Sequence, residues 1–347
     1  MIENLLMGRQ CSSSCETRKR ANMSGLSRAI VAAVLAVSVL RSAQPHSAQE
    51  YPSRYVRIIT GGAGTFHDIV ARQLGQRLSE RWGQSAVIEN QPAAGLTIGS
   101  GIAAKAAPDG YTLLLADRTA LAAAPHLYRN LRYDPTKDFR PITLVARAPS
   151  LLVTPSGLGP ANLRDFIDYA RREPEPVLFA SAGVATQAHL AGELFRQLAK
   201  IEMRIVQYRG GGDAALAVLK GEAKVTSVAI STALPHVEAG KVRALAVASD
   251  KRFAATPDIP TSAEAGLPGF EAEQWLAMMA PAGVSEAIAD KLHRDIVDIL
   301  RSPGFVAILL AQGAEAAPST PDELAKFIAS ETARLKTLID AVGLRLE

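Results

Sequence analysis

The sequence predicts an α/β protein built in two halves that grip a ligand from both sides. Segments of strand character alternate with helical ones, the signature of parallel sheets joined by crossover helices. A chain of 347 residues is also too long for one ordinary core and suits two α/β domains. Finally, one layout occurs twice. Val56-Arg57-Ile58-Ile59-Thr60 runs into Gly61-Gly62-Ala63-Gly64-Thr65-Phe66-His67-Asp68 and a helix, and Val177-Leu178-Phe179-Ala180 runs into Ser181-Ala182-Gly183-Val184-Ala185-Thr186-Gln187 and another helix. A strand that delivers small residues to a helix start leaves backbone N–H groups unpaired at the positive end of the dipole, which suits an anion.

Residues 1–48 read as a leader: Arg18-Lys19-Arg20 and Arg28 precede an apolar run over 29–40, and small residues follow through Ser47-Ala48. The run is too short to span a bilayer well, so no stable membrane insertion is expected once the leader is removed. The leader holds six of the 38 Lys and Arg and two of the 34 Asp and Glu, which leaves 32 of each sign in the exported chain. A formally neutral protein offers no electrostatic footprint for nucleic acid. Both cysteines, Cys11 and Cys15, lie in the leader, so the exported chain has neither disulfide nor thiol nucleophile, and a lone Cys-x-x-x-Cys is a poor zinc signal.

After the first strand, Val70, Leu74, Leu78 and Trp82 recur on one face of a helix that Gly83 ends. A strand over 86–89, a turn through Asn90-Gln91-Pro92, a helix over 98–106 and a buried strand over 111–116 follow. That strand delivers Asp117-Arg118-Thr119 to its C-terminal end, the edge where open α/β sheets hold ligands. Leu151-Leu152-Val153 reads as a strand making the first crossing to the second half. There, helix 163–172, strand 177–180, helix 188–200, strand 204–207, helix 213–220, strand 225–230, a short helix near 234–239 and strand 244–249 alternate, the last carrying the chain back. The C-terminal third shows two helical stripes, Ile288, Leu292, Ile296, Leu300 and then Leu324, Phe327, Ile328, Leu335, Leu338; Thr320-Pro321-Asp322-Glu323 is a helix start with an N-cap hydroxyl, proline at the first position and Glu at the third. These helices are expected to pack back onto the first half.

The candidate binding residues come from these strand ends. In the first loop Gly64, Thr65, Phe66 and His67 offer backbone N–H groups and Asp68 caps the helix. In the second, Ser181, Ala182, Gly183, Thr186 and Gln187 do the same, with Ser181 and Thr186 as hydroxyl donors, since no G-x-S-x-G nucleophile motif is present. Tyr208 leads a third loop, Tyr208-Arg209-Gly210-Gly211-Gly212, that lines the same cleft or serves as a connection. Arg118, beside Thr119, forks onto a carboxylate, or else pairs with Asp117 or a surface acid. His67 reads as a ligand donor, a proton carrier or a polar surface residue. His189 and Glu193, four apart on a helix, are either two metal ligands or an ordinary helix-start pair. The glycines of the first loop lack the G-x-G-x-x-G spacing and no Gly-Lys-Ser/Thr follows, so a P-loop is excluded; a dinucleotide enzyme would need Glu89 for the ribose.

The chain resembles the extracytoplasmic substrate-binding proteins of tripartite tricarboxylate transporters, often called the Bug family. The resemblance runs from Tyr51 to about Gly343 and is carried by Tyr51-Pro52-Ser53, Asp68-Ile69-Val70-Ala71-Arg72, Val87-Ile88-Glu89-Asn90-Gln91-Pro92, Ala107-Pro108-Asp109-Gly110-Tyr111-Thr112-Leu113, Tyr133-Asp134-Pro135, His189-Leu190-Ala191-Gly192-Glu193-Leu194-Phe195, Ala233-Leu234-Pro235-His236-Val237 and Pro257-Asp258-Ile259-Pro260-Thr261. It implies a two-lobe periplasmic-binding-protein architecture of the Venus-flytrap kind, type II, with two crossing hinge strands, closing on a small carboxylate between the two loops named above. The organisation is then a leader over 1–48, a first lobe over 49–150 plus 250–347, and a second over 151–249. Phe66 and His67 depart from a Gly and a Thr or Ser common among relatives, and Ser227-Val228-Ala229 stands where many have Phe-Asp-Asn. Together with Arg118 these departures imply a less polar, more occluded cleft.

The function implied is a periplasmic receptor that takes up an organic acid without catalysis, cofactor or metal. It hands the acid to membrane transporter subunits or, alternatively, docks as a ligand sensor on a receptor kinase. The enzyme alternative is a nucleotide-dependent oxidoreductase using the Gly61 to Asp68 loop.

Overall fold

The structure, a computed structural model, describes residues 51–91 and 94–346. The leader expected over 1–48, with Cys11 and Cys15, lies outside the described residues, as does Pro92.

The first half opens with three parallel strands. β1 (Val56–Thr60) leads to α1 (Phe66–Trp82), β2 (Ala86–Asn90) to α2 (Thr97–Ala104), and β3 (Thr112–Asp117) to a π turn at Thr119–Ala123 and the short α3 (Ala124–Leu127). In α1 the four-residue stripe is buried through Val70, Leu74 and Leu78. Gly83 stops it at φ 64°, a left-handed cap whose N–H donates to the Ser79 carbonyl at 3.0 Å.

β4 (Phe139–Pro155) then runs for 17 residues and belongs to both halves. Residues 139–149 register with β9 (Glu273–Pro281); residues 150–155 register with β7 (Val225–Ala229) and β8 (Val242–Val247). The sequence suggested only Leu151 to Val153 as strand, and the observed strand also takes in Pro141, Pro149 and Pro155, residues with no N–H for a ladder. They are tolerated here because irregular register beside Pro141 and the handover of partners at Pro149 relax the demand for a ladder N–H.

Between β4 and β8 the second half alternates as expected: α4 (Leu163–Arg172), β5 (Val177–Ser181), α5 (Gln187–Ala199), β6 (Met203–Gln207), α6 (Gly211–Leu219), β7 and α7 (Ile230–Glu238). β9 corrects the sequence reading twice. It, rather than the segment at 244–249, carries the chain back, and it lies antiparallel between β3 and β4, so the sheet is mixed, not purely parallel. Its residues Glu273-Gln274-Trp275-Leu276-Ala277-Met278-Met279-Ala280-Pro281 are nearly all buried, so no alternation marks it, and Leu, Ala and Met have helical propensity. The strand order is β2-β1-β3-β9-β4-β7-β5-β6.

The chain ends with α8 (Glu286–Leu300), α9 (Pro303–Ala311), which the sequence reading passed over, β10 (Glu315–Ala316) and α10 (Pro321–Val342). The two apolar stripes do different work. Leu292, Ile296 and Leu300 join Ile58, Leu113 and Leu276 on one face of the first-half sheet, whereas Leu324, Ile328 and Leu335 join Ile59, Leu114 and Trp275 on the other. α10 begins with the expected capping box, Thr320 Oγ1 accepting from the Glu323 N–H while Glu323 reaches back to the Thr320 N–H at 2.8 Å. In the second half, α4 and α5 cover one sheet face around Phe166, Phe179 and Phe195, and α6 and α7 cover the other. Among the described residues no helix is long and apolar enough to cross a membrane.

Candidate functional site

The loop between β1 and α1 turns on Gly64, whose φ of +75° only glycine adopts at ease. Thr65 stands at the N-cap with extended backbone, but its hydroxyl donates to the Gly62 carbonyl at 2.6 Å instead of capping the helix. Asp68 does not cap an amide of the helix itself. Its Oδ2 accepts the Gly64 N–H at 2.9 Å and its Oδ1 accepts from Arg72 Nε and Asn90 Nδ2, each at 2.9 Å. Burial raises the Asp68 pKa, but the bonds from Arg72, Gly64 and Asn90 outweigh it and hold the carboxyl below its ordinary range. One amide of the loop is therefore already neutralised by a fixed anion. The first intrahelical bond runs from the Ile69 N–H to the Thr65 carbonyl at 3.0 Å, so the amides of Phe66, His67 and Asp68 stand ahead of the ladder.

His67 has the carboxylate partner that its neighbourhood in sequence lacks. Its Nε2 lies 3.1 Å from Asp117 Oδ2, both side chains largely buried, and Asp117 Oδ1 accepts the Ala120 N–H at 2.9 Å. The imidazole packs over Gly61, where a Cβ would come within 3.1 Å of the ring. Thus the end of β3 and the start of α1 are pinned together at one edge.

Arg118 does not point a free guanidinium at that edge. It is 4% exposed, and its Nε donates to Glu331 Oε2 at 3.0 Å; Glu331, on α10, also accepts from Trp275 Nε1 at 3.2 Å and from Arg334 Nε at 2.9 Å. Neither partner weighed from sequence, Asp117 or a surface acid, is the one used. Burial raises the Glu331 pKa, yet the two guanidiniums and the indole N–H win and leave it below the ordinary glutamate range. Burial pulls the Arg118 pKa down, but an arginine stays protonated, so the carboxylate governs this pair. Thr119 follows at the start of the π turn, half-buried, with its Cγ2 3.0 Å from where a Cβ on Gly95 would sit.

In the second loop Gly183 has φ +127° and Ala185, unusually for a residue with a Cβ, φ +59°. His189 fixes the turn: its Nδ1 accepts the Ala185 N–H at 2.9 Å, and its Nε2 is 3.9 Å from Glu193 Oε1. Burial lowers the His189 pKa and Glu193 offsets that only in part, which favours the neutral ring that accepts at Nδ1. The structure thus supports the helix-start reading of His189 and Glu193; among the described residues no group of three or more metal-ligating side chains occurs. The hydroxyls of Ser181 and Thr186 both donate to the Gly183 carbonyl, at 3.3 and 2.7 Å, and Thr186 Oγ1 accepts the His189 N–H, so these side chains shape the loop from within. Leu190 N–H makes the first ladder bond, to the Thr186 carbonyl at 3.0 Å, which puts the amides of Gln187 and Ala188 ahead of it. Ala182 and Gly183 remain partly exposed at the tip.

Gln187 does something no motif announces. Its Nε2 donates to Ser150 Oγ of β4 at 3.0 Å and to the Ala272 carbonyl just before β9 at 2.7 Å. It ties the start of α5 to both segments that cross between the halves. Tyr208 joins the third loop to the second, its N–H donating to the Ser181 carbonyl at 2.8 Å. Ala185 and Leu190 share an apolar cluster with Ala120, Leu121, Trp275 and Leu324 of the first half, so the second loop meets the turn that follows β3. Ser227, the first residue of Ser227-Val228-Ala229, is fully buried, and its Oγ has no hydrogen-bond partner.

Sequence reasoning missed Asn90, Asp117 and Glu331 as partners. Asp117 was visible at a strand end; Glu331, within Ser330-Glu331-Thr332 on a helix, carries no local signal of burial. Glu89, required by the dinucleotide alternative, pairs with Arg57 at 3.2 Å.

The chain matches the family described as tripartite tricarboxylate transporter family receptor over residues 70–344. It is 36% identical to BugT of Bordetella pertussis over 307 residues, which covers 88% of this chain and 94% of BugT. The Rhodopseudomonas palustris protein Rpa4515, solved with adipate, superposes with a TM-score of 0.75 at 31% identity, covering 86% of this chain and 100% of that one. MatC of the same organism, solved with malate, gives 0.70 at 32% identity and covers 83% and 100%. Identity at this level over nearly the whole folded chain settles the matter: this protein belongs to the family of tripartite tricarboxylate transporter receptors.

Proposed function

We propose that the chain is an exported receptor that captures a small organic carboxylate between its two halves and delivers it to membrane transporter subunits, making and breaking no covalent bond. The observation that carries the reading is the pair of helix starts, α1 and α5, whose leading amides precede the first ladder bond and follow loops of matching layout. Adipate and malate in the two related structures are carboxylates of the expected kind. Division of the lobes near residues 150 and 250 fits the change of partners along β4, and Gln187 is suited to hold the closed arrangement by clasping both crossings. A leader that exports the chain fits a periplasmic site of action.

A thermal-shift screen of organic acids tests this reading. A ligand that binds only the folded form at 100 times its Kd adds about 2.7 kcal/mol to stability, a readily measured rise in Tm. At least one acid in a panel of mono-, di- and tricarboxylates is expected to give such a rise, and reduced nicotinamide none. A rise with the nucleotide and with no acid would turn the assignment toward the dinucleotide enzyme.

A further inference from the structure

We infer that His67 grips the ligand's carboxylate in its protonated form, with Asp117 holding the imidazolium from behind, so that capture takes up a proton. The inference rests on the capture reading above and gives that site a response to pH. Two neighbours orient the ring. Its Nε2 lies 3.1 Å from Asp117 Oδ2, and its Cγ and Cδ2 lie 3.1 and 3.4 Å from where a Cβ on Gly61 would sit. A side chain at position 61 would push the ring away. The Gly61 carbonyl is itself held by Asn90 Nδ2, which donates to it at 2.8 Å. The second oxygen of Asp117 already accepts the Ala120 N–H at 2.9 Å. Because a carboxylate only accepts, Nε2 carries a proton, and a neutral ring then has a bare lone pair on Nδ1. Among the described residues Nδ1 has no hydrogen-bond partner and is not one of the sealed polar atoms, so that edge of the ring reaches solvent. It does so at the ends of β1 and β3, the side of an open α/β sheet where ligands are held.

A ligand carboxylate cannot dock on a bare lone pair, since both are acceptors. Once Nδ1 gains a proton, the imidazolium donates to a carboxylate on either side, and charge-assisted bonds of this kind are about twice as strong as neutral ones. Histidine suits the task, because its charge changes within the physiological range of pH. The neighbouring charged groups are engaged elsewhere. On α1, Asp68 serves the Gly64 N–H, Arg72 and Asn90. In the sheet, Glu89 pairs with Arg57 at 3.2 Å and registers with Ile59, on the face opposite α1. In the second loop, His189 serves the Ala185 N–H and Glu193. Among the described residues Asp117 is therefore the charge paired with the ring.

Calorimetric titration of the protein with adipate, malate and the acid of largest thermal shift tests this, in two buffers of different ionisation enthalpy so that protons bound per ligand are counted. From about pH 7 to pH 9 carboxylic acids stay ionised, so a proton taken up goes to the protein. Uptake is expected to reach about half a proton or more per ligand at its maximum, and affinity to fall at least fivefold across that range as the pH rises. His67→Gln should abolish the uptake and flatten the profile. Asp117→Asn, which keeps the ring and withdraws its negative partner, should move the uptake to lower pH. Nitrogen NMR of the histidine rings checks the step without a substitution: saturation with ligand at about pH 8 should convert one ring from singly to doubly protonated. A proton count of zero, or one that His67→Gln leaves unchanged, overturns the inference while leaving the capture reading intact. If no acid binds at millimolar concentration, the capture reading fails and the inference falls with it.

Discussion

Glu331→Gln is expected to lower the free energy of unfolding by about 3–5 kcal/mol, the usual loss when one partner of a buried ion pair is removed. Among the described residues this carboxylate is the acid in ion-pair contact with Arg118, whose side chain is 5% exposed, and it also receives Trp275 and Arg334. Glutamine keeps the shape but not the charge, so a guanidinium stays buried without compensation. Trp275 stacks edge-on against Phe327 at 5.2 Å, so loosening Glu331 also loosens α10 from the sheet. Urea unfolding at neutral pH measures the loss. The sign with pH follows from the direction of the shift: a glutamate held below its ordinary value near 4.5 contributes stability above that value and loses it as pH falls through the folded-state pKa. The gap between wild type and variant should therefore close in acid. Replacing both members, Arg118→Met with Glu331→Met, should recover part of the stability, because the buried guanidinium goes with its partner and Arg334 keeps Glu271 at 3.6 Å, while the Trp275 N–H loses its acceptor. A single-variant loss under about 1 kcal/mol would show that water or another group compensates Arg118.

Gly183→Ala should weaken carboxylate binding by at least tenfold while costing about 1–3 kcal/mol of stability, the range for a side chain forced into sparsely populated backbone space. Space is not the obstacle, since the added Cβ would meet Thr186 Cγ2 at 3.5 Å and the Tyr208 carbonyl oxygen at 3.8 Å, both ordinary contacts. Conformation is: at φ +127° a Cβ strains the backbone, and relaxation would turn the Gly183 carbonyl away from the two hydroxyls it accepts from. The amides of Gln187 and Ala188 would then lose their aim. Titration with the best acid from the screen, alongside urea unfolding, separates the two effects. Unchanged affinity would place the ligand away from this loop. Gly210→Ala, at a glycine where the Cβ would meet open space, is the matched control.

Several elements were legible in sequence because their cause is local. The α1 stripe, the Gly83 stop and the Thr320 box each depend on residues within one or two helical turns, and each appears where the sequence put it. The two strand–loop–helix units were legible for the same reason. β9 was not, because a strand buried on both faces has no period to read, and its place is set by β3 and β4, which lie more than a hundred residues away. The two helical stripes of the C-terminal third were visible, but not that they cover opposite faces of one sheet.

The site divides along the same line. By itself the sequence determined the alternation of strand and helix, the paired loops of small residues, the balance of charge beyond residue 48 and the family. Only the tertiary structure decided which polar groups are still free to act. His67 is given to Asp117, Arg118 to Glu331, and Gln187 to the two crossings, pairings that span from 37 to 213 residues. The physical reason is that a side chain's chemistry is fixed by its type, whereas its availability depends on whichever opposite charge or acceptor the fold brings within about 3 Å in a dry interior. Spacing along the chain cannot encode that choice of partner.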